Sequence, residues 1–230
     1  MISEGVDVVD VGGESTRPGA AAVPVDEELK RVIPVIEALA GRIRLSVDTT
    51  KEAVADAAVE AGATLINDVS ASLWPVAARH RVGWVAMHRK GTPATMQRDP
   101  RYDDVVGEVS TVLSDRADRA RAAGVDEVWI DPGIGFGKTV DHNLQLLGAL
   151  DRLVATGYPV MVGTSRKSFL GAVAPTRGAT TPVGERLAAS LATATWAMEQ
   201  GAGMVRVHDV SATVQAAVLV GCPTGTGARQ

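Results

Sequence analysis

RLSVD at Arg44–Asp48 and TLIND at Thr64–Asp68 flank the segment Lys51–Ala61, and the reading of this unit decides the fold. Each flanking run is short, apolar in its body and polar at its last residues. The segment between them has helical period and runs into Ala61-Gly62, where a glycine suits the left-handed cap that ends a helix before a strand. Strand, helix, strand in that order specifies two parallel strands joined by a crossover helix.

The same unit repeats along the chain. Strands are predicted at Val6–Val11, Arg44–Asp48, Thr64–Asp68, Gly83–Met87, Glu127–Asp131, Pro159–Gly163 and Gly203–His208. Helices are predicted near Asp26–Ala40, Lys51–Ala61, Trp74–His80, Asp103–Ala123, Asp141–Thr156 and Val183–Gln200, with a last one from about Ser211 to Val220. Glu4-Gly5, Ala123-Gly124, Thr156-Gly157 and Gln200-Gly201 repeat the Ala61-Gly62 lead-in. Strict alternation means a parallel sheet with its helices outside. Nearly every strand ends in Asp, Asn, Arg, His or a Gly-rich turn. A closed barrel brings such ends to one mouth, whereas an open sheet spreads them along a line. The expected fold is therefore a TIM-type (β/α)8 barrel with seven strands present. Met1-Ile2-Ser3-Glu4-Gly5 reads as the tail of a helix, so the first strand and most of the first helix are expected to be missing. The expected organisation is one domain over 1–230, N-terminally incomplete.

Composition allows this and excludes other classes. Apolar residues make up 46% of the 230, enough for a sizeable core, while aromatics at 3% leave Val, Ala, Leu and Ile to fill it. A net charge of −4 argues against binding a nucleic-acid backbone, although a few convergent cations can still hold a small anion. The one cysteine, Cys222, cannot form an internal disulfide, and no Cys/His spacing suggests zinc. No apolar run spans a bilayer and the first residues lack a signal-peptide pattern, so a cytoplasmic protein is expected.

Several strand ends carry chemistry. Asp48 ends its strand and is read either as a site carboxylate or as the cap of the helix that follows. Period 2 places Leu65 and Asn67 on one face and Asp68 on the other; Asn67 suits a heterocycle edge, while Asp68 can be a turn residue. Asp131 opens DPGIGFGK (Asp131–Lys138), which fails the P-loop template at Pro132 and the dinucleotide template at Lys138. It reads as a Gly-rich loop over a site, with an Asp able to accept two N–H bonds from a guanidine-like ring edge. Arg166 and Lys167 are adjacent cations that need an anion or carboxylate partner. Arg206 and His208, two apart in the last strand, read as an anion clamp near the usual phosphate position of a barrel. His88 is either a site residue or a loop histidine; His80 and His142 are assigned to helix surfaces. The loop Gly12–Gly19, with Thr16, Arg17 and Pro18, has the rigidity of a substrate-touching segment.

Taken together, GGESTRPGA (Gly12–Ala20), SVDTT (Ser46–Thr50), INDVS (Ile66–Ser70), MH…GTPATMQ (Met87–Gln97), DPGIGFGK, SRKSFLG (Ser165–Gly171) and RVHDV (Arg206–Val210) resemble the dihydropteroate synthases of the folate pathway, in the family's order and through essentially the whole chain. The resemblance implies a transferase that condenses 6-hydroxymethyl-7,8-dihydropterin diphosphate with p-aminobenzoate and releases pyrophosphate, a target of sulfonamides. It implies a pterin pocket of Asp48, Asn67, Met87, Asp131 and Lys167, and a diphosphate site of Arg206 and His208. It also implies a p-aminobenzoate pocket of Thr16, Arg17, Pro18, Phe136, Lys167 and Ser168. Asp48, Asp131, Lys167, Arg206 and His208 would carry catalysis. Mg²⁺ is the implied cofactor, but no metal ligand is assigned here, because the family's Asn ligand belongs to the first strand. A homodimer is implied as well. Two rivals stand beside this reading. A methyltetrahydrofolate-dependent methyltransferase would keep the Asp/Asn/Asp set without needing the anion segments. A non-catalytic paralogue or fragment would bind pterin without turnover.

Overall fold

In the computed structural model, residues 1–17, 19–175 and 178–221 are described, so Pro18 and Cys222 lie outside the described residues. Seven parallel strands follow one another: β1 Val8–Gly12, β2 Arg44–Asp48, β3 Leu65–Asp68, β4 Gly83–Met87, β5 Val128–Asp131, β6 Met161–Val162 and β7 Met204–Val205. The first five form one ladder in sequence order, a bridge from Ile130 to Val160 continues it, and β6 pairs with β7. Around them lie α1 Val25–Leu39, α2 Glu52–Glu60, α3 Trp74–His80, α4 Val105–Ala122, α5 Val140–Gly148, α6 Leu150–Val154, α7 Ser168–Val173, α8 Leu187–Glu199 and α9 Val210–Val220. The predicted lead-in glycines Gly5, Gly62, Gly124, Gly157 and Gly201 all take positive φ, between 84° and 122°.

Alternation along the strands sorts the side chains into two cores. Leu45, Val47, Ile66, Trp84, Val128, Ile130 and Val162 join the large cluster between sheet and helices. Their neighbours Leu65, Val85 and Met161 form a smaller cluster with Val8, Trp129 and Met204, which fills the middle of the barrel interior. Below it Arg44 pairs with Glu127 at 2.5 Å, and Trp129 Nε1 donates to the same carboxylate at 2.7 Å. Above it the inward positions turn polar, and the site begins there.

Four expectations change. The predicted helix Asp141–Thr156 is two, α5 and α6, because Gly148-Ala149 breaks the helical path with Ala149 at φ −121°. The predicted helix Val183–Gln200 starts as a 3-10 turn, Val183–Glu185, and becomes α-helical only from Leu187. Ser168–Val173, where no element is predicted, is the short helix α7, too brief for a periodic signal. The last two strands are shorter than predicted, so Arg206 and His208 lie beyond β7 and do not share a strand face. Among the described residues no ladder bond joins β7 to β1. A cavity of about 610 Å³ lies along that seam, lined by Val8, Asp10, Ser46, Asn67, Met204 and Arg206 among others.

Candidate active site

The upper interior layer is built by register. Asp48 pairs with Asn67 across β2 and β3, Met87 with Asp131 across β4 and β5, and Asp10 stands beside Ser46 on β1 and β2. Arg206 closes the ring from the far side of the seam. Its Nε donates to Asp10 Oδ2 at 2.6 Å and its Nη2 to Asp48 Oδ2 at 3.0 Å. Asn67 Nδ2 donates to the same oxygen of Asp10 at 2.9 Å. The expected anion clamp is thus corrected in its geometry: Arg206 forks onto two carboxylates, and His208 turns to Ser165, its Nδ1 3.0 Å from the hydroxyl. Shortening of β7 explains the divergence, because alternation stops where the strand ends. Burial holds His208 below its ordinary pKa, with Arg166, Arg206 and Arg17 adding to the effect. Arg17 therefore lies within electrostatic range of the same mouth.

Four buried oxygens in this layer have no hydrogen-bond partner: Asp10 Oδ1, Ser46 Oγ, Asp48 Oδ1 and Asn67 Oδ1. Leaving such groups unpaired costs about 1–3 kcal/mol each. Asp10, Ser46 and Asn67 line the seam cavity and Asp48 stands beside Asn67 in register, so the cluster marks a place shaped for a ligand rich in N–H donors. Asp48 is not the cap of α2, whose N-cap is Lys51. The residue is 6% exposed. Burial, reinforced by Asp10, raises its pKa from 3.8 to about 7, against the pull of Arg206. The folded pKa stands above the unfolded one, so the native protein keeps a proton that the unfolded chain releases, and stability falls as pH rises between these two values. Asp48→Asn is therefore expected to leave stability unchanged near pH 4 and raise it by about 1–2 kcal/mol at pH 8. Urea denaturation at the two pH values checks this, and an equal effect at both would remove the buried charge as its cause.

Asp131 is wholly inside the ring. Burial pushes its pKa up while Lys167, the Gly133 N–H and Lys138 hold it down. Its Oδ1 accepts from Gly133 N at 2.7 Å. The adjacent cations Arg166 and Lys167, expected to need an anion or carboxylate partner, turn apart. Arg166 turns outward to Asp209, with N–O distances of 3.1 and 2.5 Å. Lys167 turns inward, donates to the Ile134 carbonyl and places its ammonium 4.8 Å from the centre of the Phe136 ring. Burial lowers its pKa to about 8, with Asp131 opposing that. Ser168 is the exposed first residue of α7 beside it. Asp68 is the turn residue it could be: its carboxylate accepts from the backbone of Ser70, Ser72 and Leu73 and from Trp84 Nε1.

The loop after β1 is held from below. Glu28 of α1 is fully buried, accepts from the Thr49 hydroxyl at 2.7 Å and pairs with Lys51, which also pairs with Glu14. Arg31 donates to the Gly13 carbonyl at 3.0 Å, and Gly19 N to the Pro93 carbonyl at 3.0 Å. These ties put Thr16 in a second cavity, about 340 Å³, shared with Asp48, Arg89 and Pro93. Sequence reading passed over Asp10, Glu28 and Lys138. Asp10 had a signal, a lone carboxylate among the valines of VVDV; Glu28 had none, lying among ordinary helix-surface charges.

The chain matches the pterin binding enzyme family over residues 1–208. It is 46% identical to the dihydropteroate synthase of Mycobacterium leprae over 231 aligned positions, covering 96% of this chain and 81% of that one. In three dimensions it is similar to the dihydropteroate synthase of Yersinia pestis solved with a sulfonamide drug, at a TM-score of 0.90 and 43% identity, over 95% of this chain and 81% of that one. The Xanthomonas albilineans dihydropteroate synthase solved with 4-aminobenzoic acid gives a TM-score of 0.87 at 47% identity, over 95% and 79%. Motif order, barrel topology and these matches agree, and the chain belongs to the pterin-binding enzymes and, within them, to the dihydropteroate synthase family.

Proposed function

We propose that this chain joins 6-hydroxymethyl-7,8-dihydropterin diphosphate to p-aminobenzoate, giving 7,8-dihydropteroate and pyrophosphate. The observation that carries the reading is the cluster of unpartnered oxygens on Asp10, Asp48 and Asn67, all acceptors, gathered around Arg206, with Asp10 and Asn67 lining the seam cavity. The aminopyrimidinone edge of a pterin offers several N–H donors and satisfies such a set, with Met87 and Asp131 side by side in the same layer and the Lys167 ammonium near Asp131. A new C–N bond forms at the pterin methylene as its C–O bond breaks; pyrophosphate leaves with the bonding electrons and the amine gives up a proton. Asp48 and Asp131 stabilise the positive charge that develops on the pterin, and Arg206 and His208 the charge on the leaving group. Arg206, with its side chain 45% exposed, can exchange a carboxylate for a phosphate oxygen without crossing the core. Thr16, Arg17, Phe136, Lys167 and Ser168 form the amine pocket; Pro18, the remaining residue of the expected set, lies outside the described residues.

Mg²⁺ enters this proposal only through the substrate. Among the described residues no group of three His, Cys, Asp or Glu side chains could hold a metal. Asp10 and Asp48 are already neutralised by Arg206. A Mg²⁺ ion taking most ligands from phosphate and water would still be compatible with the mouth, and no step above runs through it. A single domain over 1–230, a cytoplasmic location and a homodimer complete the reading. Exposed Val183, Leu187 and Trp196 offer apolar surface to a second copy, and no helix among the described residues is long and apolar enough to cross a membrane. The test is pyrophosphate release by this chain with pterin diphosphate, p-aminobenzoate and Mg²⁺. Release that requires the amine is expected. Tight pterin binding with no release would favour a non-catalytic paralogue instead.

A further inference from the structure

Every carbonyl of the loop 133–137 accepts a hydrogen bond from a side chain outside that loop. Lys138 Nζ donates to Gly133 O at 3.0 Å and to Phe136 O at 3.1 Å, Lys167 to Ile134 O, Gln97 Nε2 to Gly135 O at 2.6 Å and Tyr102 OH to Gly137 O at 2.9 Å. Lys138 is the hub. Its ammonium is buried and also lies 2.9 Å from His88 Nδ1, on the loop after β4. Here the two loops touch backbone to backbone. A Cβ at Gly133 or Gly137, both at positive φ, would collide with the carbonyl of His88 or Lys90. While Lys138 is charged its ammonium only donates, so His88 Nδ1 is then the acceptor and its proton sits on Nε2. Burial, with Lys138 and Lys90 near, lowers the His88 pKa to about 3, which keeps that acceptor free. A buried cation with no carboxylate at contact distance is costly, and the overall reading of the site gives Lys138 no contact with substrate.

We propose that Lys138, latched to His88, is a positioning residue that sets the shape of the 133–137 loop and thereby the place of Phe136 and Lys167 against the amine substrate. The proposal rests on assigning those two side chains to the p-aminobenzoate pocket. When the latch opens, the Ile134 carbonyl that holds Lys167 and the Phe136 ring under its ammonium lose their fixed position. The pterin acceptors Asp10, Asp48 and Asn67 stand on other strands and keep theirs.

The test compares K138M, H88L, H88N and the double variant K138M/H88L in the full chain. K138M and H88L are expected to raise KM for p-aminobenzoate about tenfold, lower kcat less than threefold and weaken pterin binding, through Lys167 alone, by no more than about threefold. H88N supplies an oxygen acceptor close to where Nδ1 sat, so it is expected to stay within threefold of the parent. The double variant should cost less than the product of the singles, since both remove one contact. Hydrogen exchange gives a readout independent of turnover: amides of 133–137 should lose protection in K138M while α4 and β4 keep theirs. Unchanged loop protection in K138M, or H88N as impaired as H88L, overturns the latch. Pterin affinity falling as far as amine affinity would overturn its restriction to the amine pocket. If the parent released no pyrophosphate, the functional reading would fail, and the exchange data would still decide the latch.

Discussion

Replacing Arg206 by alanine is expected to cut turnover by about 10²–10³-fold, in line with removal of one preorganised charge from a reacting centre, and to move the acid limb of the pH–rate profile upward. Two roles meet in this side chain. Its fork neutralises Asp10 and Asp48, at 2.6 and 3.0 Å, and its exposed half faces the mouth where a leaving group would develop charge. Burial and Asp10 hold the Asp48 pKa at about 7 even with Arg206 present, and Arg206 is the group that lowers it. Without the guanidinium that pKa moves higher, Asp48 is protonated at neutral pH, and activity that needs its carboxylate returns only in more alkaline solution. Arg206→Lys keeps a charge but not two diverging donors, so it should recover part of the pH shift and little of the rate. A variant with reduced rate but an unmoved acid limb would separate Arg206 from Asp48 and leave it a phosphate ligand alone.

Asp131→Asn is expected to destabilise the fold by about 3 kcal/mol, the scale on which a buried charge that loses its partner is felt, and to bring turnover to the limit of detection. Asparagine keeps the acceptor for Gly133 N, so the loss is one of charge rather than shape. Burial lowers the pKa of Lys138 to about 7 and of Lys167 to about 8, and in both Asp131 opposes the shift. In the parent both lysines are charged at pH 6 and opposed by this carboxylate; at pH 9 both are largely neutral in the folded state. The penalty in the variant should therefore be greatest near pH 6 and shrink toward pH 9. Denaturant midpoints across that range measure it. A penalty independent of pH would mean that the lysines do not depend on Asp131 for their charge.

The architecture and the family were legible in residue order, for reasons that are local. Strand and helix periods, glycine lead-ins and polar strand ends are properties of short segments, and each reports on a backbone choice made within a few residues. Period 2 alone placed Asn67 and Asp68 on opposite faces, and the structure finds Asn67 in the ring and Asp68 binding its own turn. Motif order identified the family because seven segments matched together. Tertiary structure decided what depends on partners distant in the chain. Only folding brings Arg206 to Asp10 and Asp48, turns Lys167 inward while Arg166 turns outward, and seats Lys138 against His88. The pKa of Asp48 belongs to the same group, because burial and neighbouring charge are set by packing and not by residue type. Sequence determined which side chains the strands and loops could offer to one mouth; the closing of β1, β5 and β7 around a common interior decided which of them meet, since electrostatic and hydrogen-bond energies depend on distances of a few ångströms that no local pattern encodes.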